Sequence, residues 1–145
     1  MTLKYLSIGA FGLMVAGIVW LLMRQQVLAH SIPGIAVQAM AVLLMILARI
    51  AFGMRSFHAS ANPTAGGLVT SGPYRWMRHP IYAAILYFCW AAALDHRTRE
   101  AVAASLLITA GAVLRMYMEE QLLVGMYPAY RDYAARTARV VPFVL

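Results

Sequence analysis

The chain has 145 residues, of which 63% are hydrophobic and only 12% charged, with a formal net charge of +7. Soluble domains run nearer half apolar and a quarter charged, so the composition excludes an ordinary soluble domain and points to one membrane domain. The basic residues fall between apolar runs and form no continuous basic face, which argues against nucleic acid as a partner and for a positive-inside bias. The lone Cys89 lies inside an apolar run, which excludes a disulfide framework and a cysteine-based metal site.

Leu3 to Met23 is an apolar run with one charge, Lys4, at its start. A spanning helix needs about 20 such residues. No small-residue cleavage motif follows it, so the run reads as a retained helix and not a signal peptide. Arg24, Gln25, Gln26 and His30 form a polar connector, and Pro33 and Gly34 open the next run, Ile35 to Phe52. Gln38 and Arg49 interrupt that run. Arg49 sits near its end, where a long stem snorkels to the headgroups.

Residues 53–79 are the long connection. Asn62-Pro63, Gly66-Gly67 and Ser71-Gly72-Pro73 are turn signals. Structureless loops beyond about 15 residues are usually functional or disordered, and this one is rich in apolar and aromatic residues. It is expected to fold back against the bundle at the membrane surface. Ile81 to Leu94 is the third apolar run, short for a span. Either the helix begins earlier, around Tyr74, or it sits off-centre. Both place Arg78 and His79 at or below the interface, where ionisable groups are functional candidates. Pro80 suits a first helical turn.

Asp95 to Glu100 is a tight polar turn, and Ala101 to Met118 is the fourth run, completing a helical hairpin. Arg115 and Glu119 stand at i, i+4, so an ion pair rivals any catalytic role for Arg115. From Glu119 the tail reads as one amphipathic helix that Pro128 kinks or breaks. The expected fold is therefore an all-α, polytopic membrane bundle of four transmembrane helices plus a C-terminal amphipathic helix. It divides into residues 1–52, 53–80, 81–118 and 119–145. Four spans put both termini on one side with Lys4, Arg55, Arg75, Arg78, Arg131, Arg136 and Arg139. The other side has Arg24, Arg97 and Arg99, offset by Asp95 and Glu100. This bias favours cytoplasmic termini in a bacterial or archaeal plasma membrane.

Gly72-Pro73-Tyr74, then Arg78-His79-Pro80 and Tyr82, then a hairpin, then Glu119-Glu120 and Leu123, then Tyr130, Tyr133, Arg139 and Pro142 form one constellation. It closely resembles the isoprenylcysteine carboxyl methyltransferase family and its relatives, the integral-membrane phospholipid methyltransferases. The resemblance covers about residues 66 to 145. One departure is Met126-Tyr127-Pro128, where many members carry an aromatic-glycine pair. The resemblance implies an S-adenosylmethionine-dependent methyltransferase working at the cytosolic membrane face on a lipophilic small molecule or prenylated substrate.

By that resemblance Leu68, Val69, Gly72, Tyr74, His79, Pro80, Tyr82, Glu119, Glu120, Tyr130 and Tyr133 line the cofactor pocket, and Arg78, His79, Glu120 and Arg139 serve catalysis. The residue chemistry has blander readings beside these. Glu119 and Glu120 suit helix-end ion pairs, the tyrosines an interfacial aromatic belt, and Arg78 and Arg139 anchors for anionic membrane lipid. A carboxylate acceptor needs no base and wants an arginine; an amine or thiol must first lose a proton. Both residue types are present, so the acceptor stays open. A non-enzymatic scaffold binding anionic lipid is the rival class, and nothing in the pattern fixes an oligomeric state.

Overall fold

The computed structural model describes residues 2–53 and 67–143. Residues 54–66 of the expected long loop, including Arg55, lie outside the described residues. The described chain is all-α: α1 (Thr2–Met23), α2 (Ile32–Phe52), a 3-10 turn (Gly72–Arg75), α3 (Pro80–His96), α4 (Arg99–Met126) and α5 (Tyr130–Arg136). Three helices are long and apolar enough to cross a membrane, over Tyr5–Met23, Ile32–Phe52 and Arg99–Met126. At 17 residues, α3 is shorter than the roughly 20 a span ordinarily takes.

One boundary that the sequence left open is decided, and two others differ from the sequence reading. α3 starts at Pro80, not near Tyr74, because Gly72–Arg75 closes its own 3-10 turn first. It runs on to His96, where Arg97 turns left-handed at φ 54°. The tail is not one amphipathic helix from Glu119. α4 continues unbroken to Met126, since Glu, Gln and Leu all favour helix and no Gly or Pro intervenes before Gly125. Pro128 then breaks the chain, and only the seven residues of α5 form a separate helix.

The helices lie in the spatial order α2, α3, α4, α1. On α1 the buried positions are 7, 10, 14, 17 and 21, alternating spacings of three and four that make one seam. The matching seam on α4 includes Ala104, Ile108, Gly111 and Arg115. Two glycines let the backbones close up. A Cβ on Gly111 would stand 2.6 Å from the Ala10 carbonyl oxygen, and one on Gly17 2.9 Å from that of Ala104. Small residues at a helix interface permit this approach.

The α3–α4 interface carries polar links as well: Ser105 Oγ donates to the Cys89 carbonyl at 3.2 Å, and Trp90 Nε1 to Thr109 Oγ1 at 3.0 Å. At the end of the bundle near the α3–α4 turn, the connector after α1 is tied down. Asp95 accepts from the backbone of His30 at 2.6 Å and Ser31 at 3.1 Å. Gln38, the polar interruption in α2, accepts from Ala29 N and donates to the Val27 and Phe88 carbonyls. Its amide pairs backbone groups of the non-helical connector, Ala29 N and the Val27 carbonyl, and ties them to α3 at Phe88.

Candidate active site

The opposite end of the bundle gathers the motif residues. Gly72 has φ 57°, a left-handed conformation that suits glycine, and a Cβ there would lie 3.2 Å from Ala51 Cβ on α2. The turn it starts buries Tyr74 against Phe52, ring centroids 5.6 Å apart. The chain then pairs with the tail. Arg78 N donates to the Ala138 carbonyl at 2.7 Å, His79 N to that of Arg139 at 3.0 Å, and Ala138 N to that of Trp76 at 3.1 Å. Met77 and Ala138 form a parallel bridge. This short pairing brings Arg78, His79 and Arg139 to the last turns of α4.

Glu120 is the hub. Its Oε1 accepts from Arg78 Nε at 3.0 Å and lies 3.1 Å from His79 Nε2; its Oε2 accepts from Arg139 Nη2 at 3.2 Å. Arg78 is also fixed by its Nη1, which donates to the Ala134 carbonyl at 2.7 Å and to that of Thr137. His79 is buried, and its Nδ1 stands 3.9 Å from Glu119 Oε2, so the imidazole sits between two carboxylates. Glu119 Oε1 accepts from the Tyr82 hydroxyl and from Arg115 Nη2 at 3.3 Å. The i, i+4 pair read from the sequence is thus present.

Tyr130 and Tyr133 are buried side by side, centroids 5.9 Å apart. The Tyr133 hydroxyl donates to the Tyr74 carbonyl at 2.6 Å. That of Tyr130 is buried with no hydrogen-bond partner among the described residues. Burial raises the pKa of Tyr74 and Tyr130 and pushes that of Tyr133 up to about 12, so all three hydroxyls stay protonated at neutral pH.

Arg78, His79, Tyr82, Glu119, Glu120 and Arg139 therefore form one network, with Tyr130, Tyr133 and Tyr74 packed beside it. Pro80 opens α3 and sets where His79 stands; Gly72 acts through its backbone. Leu68 and Val69 are half-buried and lie outside the hydrogen-bonded network. Residues the motif reading did not assign to the site are Tyr87, whose hydroxyl donates to the Val140 carbonyl, and Arg115, which reaches both Tyr82 and Glu119. The i, i+4 spacing to Glu119 was the only signal for Arg115; Tyr87 had none.

The family model for phospholipid methyltransferases matches residues 29–130. A stretch of 78 residues is 35% identical to the nickel-cobalt-cadmium resistance protein NccN of Alcaligenes xylosoxydans xylosoxydans. That match covers 52% of this chain and 36% of that protein, so the chain spans little over a third of the relative's length. No solved structure matches the chain.

Proposed function

Because the chain belongs to the phospholipid methyltransferase family, we propose that its motif network is the site of a membrane methyltransferase that uses S-adenosylmethionine and methylates a lipophilic carboxylate of the isoprenylcysteine type. The observation that carries this reading is the meeting of His79 with Glu120 and Glu119, three motif residues from two distant segments, at one end of an apolar bundle. A site between water and bilayer suits a soluble donor and a greasy acceptor.

The donor set fits S-adenosylmethionine. Adjacent carboxylates suit its ammonium and ribose hydroxyls, and the orphaned Tyr130 hydroxyl is a buried polar atom that a ligand would satisfy. Glu120 is held by Arg78, His79 and Arg139, and Arg139, with a side chain 57% exposed, is the one that yields to an incoming ammonium at least cost. When bound, the donor supplies a methyl already activated on a sulfonium, so the protein's task is positioning and the exclusion of water. Tyr82 and the tail tyrosines offer π-faces to that positive charge.

Two side chains bear on the acceptor class, His79 and Arg139. His79 Nε2 is engaged by Glu120, and Nδ1 faces Glu119. With Nε2 held by Glu120, Nδ1 at 3.9 Å from Glu119 Oε2 is beyond hydrogen-bond distance and is the ring nitrogen that would take a proton from an amine or thiol. A carboxylate needs no base, and the guanidinium of Arg139 is exposed to hold one. The family's description favours a second reading, an amine headgroup of a phospholipid, with His79 as the base. Both termini and the site are then cytoplasmic, by the charge bias.

The test is incubation of purified protein with labelled S-adenosylmethionine and either a prenylated cysteine with a free carboxylate or phosphatidylethanolamine vesicles, with the product identified by mass. A methyl ester is expected. An N-methylated lipid would move the assignment to the second reading, and no binding of S-adenosylhomocysteine by calorimetry would remove both.

A further inference from the structure

We infer that Arg115 is a positioning residue for the donor site, and that α1, which lies before the matched family region, is the wall that holds it. The inference rests on the reading of Glu119 as a donor-binding group.

Arg115 is 4% exposed in the seam between α4 and α1. One side of its guanidinium faces the site: Nε donates to the Tyr82 hydroxyl at 2.7 Å and Nη2 to Glu119 Oε1 at 3.3 Å. Tyr82 donates to the same Oε1, which closes a ring of three side chains. The other side faces α1. Nη1 donates to the Ser7 carbonyl at 3.4 Å, and the Phe11 ring lies under the guanidinium, 5.2 Å from its centroid. A carbonyl in mid-helix keeps a second lone pair after its helical bond, which is what makes Ser7 available.

The consequence is directional. Both donors converge on Oε1, so the Glu119 carboxylate cannot rotate freely. Its Oε2 accepts no hydrogen bond among the described residues and faces His79 Nδ1 at 3.9 Å. Oε2 is the oxygen presented to a ligand, and it suits a hydroxyl or ammonium donor. An arginine is required because one planar fork must reach a phenol, a carboxylate and a helix carbonyl together; a lysine has a single point of charge.

The test uses full-length protein in detergent and S-adenosylhomocysteine binding by calorimetry, for wild type, Arg115→Lys, Glu119→Gln and the double variant. Each single change is expected to weaken binding about tenfold, the loss of one charge-assisted hydrogen bond. The double variant should be no weaker than Glu119→Gln alone, since Arg115 acts through Glu119. Wild-type affinity in Arg115→Lys, or losses that simply add, would overturn the inference while leaving the methyltransferase reading intact; absence of binding by wild type would remove that reading itself. Should Arg115→Lys fail to fold, Phe11→Leu carries the claim for α1. It removes only the ring under the guanidinium and should weaken binding about threefold; unchanged binding overturns the role of α1.

Discussion

His79 Nε2 lies 3.1 Å from Glu120 Oε1 although 41 positions separate them. The two come from opposite ends of the α3–α4 hairpin. Their meeting requires the hairpin to return the chain to the face it left, and the Trp76–His79 segment to be stapled to Ala138 and Arg139.

Arg78 and Arg139 both bind Glu120, but they should not be equivalent. The Arg78 side chain is 10% exposed and that of Arg139 57%. Glu120→Ala leaves Arg78 buried without its carboxylate, which costs about 3 kcal/mol. Arg139→Ala removes an exposed pair, which costs under about 1 kcal/mol. Thermal melts in detergent should rank Glu120→Ala well below Arg139→Ala; equal melts would mean that Glu120 is no structural hub.

The Tyr130 hydroxyl is a cost in the ligand-free protein. Tyr130→Phe deletes a buried hydroxyl that has no partner among the described residues. The melting temperature should hold or rise, since an unsatisfied buried polar group costs about 1–3 kcal/mol. Affinity for S-adenosylhomocysteine should fall at the same time. A lower melting temperature without ligand would show that the hydroxyl is already satisfied.

Gly111 and Gly125 are both helical glycines of α4, with opposite expectations. A Cβ at Gly111 meets the Ala10 carbonyl, whereas one at Gly125 meets nothing within 4 Å. Gly111→Ala should destabilise by about 1–3 kcal/mol by forcing α1 and α4 apart. Gly125→Ala should be neutral or stabilising by up to about 1 kcal/mol. Denaturant melts of the two variants measure the difference.

Alkaline pH should unfold this end of the protein. Tyr133 has its pKa raised from 10.0 to about 12, chiefly by burial. The folded state holds that proton more tightly than the unfolded chain. Its contribution is therefore complete below about pH 10 and is lost as pH climbs through the folded value. A melting temperature that bends downward above about pH 10, with a shallower bend in Tyr133→Phe, is the expected profile.

The sequence alone determined the properties that are local. The all-α build from apolar runs, Pro80 as a first-turn residue, an interruption at Pro128 and the Arg115–Glu119 pair all follow from runs, propensities and i, i+4 spacing. The motif residues were legible as a set by their resemblance to a family, though not the contacts among them. Only the tertiary structure decided that α4 runs through Glu119 and Glu120 to Met126, because two charges after an apolar run look alike whether the helix stops or merely leaves the membrane. Only it joined Met77 to Ala138, left the Tyr130 hydroxyl without a partner among the described residues and set Arg115 against Ser7 and Phe11 of α1. Those relations join segments tens of residues apart, and what fixes them is how closely the helix backbones approach, which no local pattern encodes.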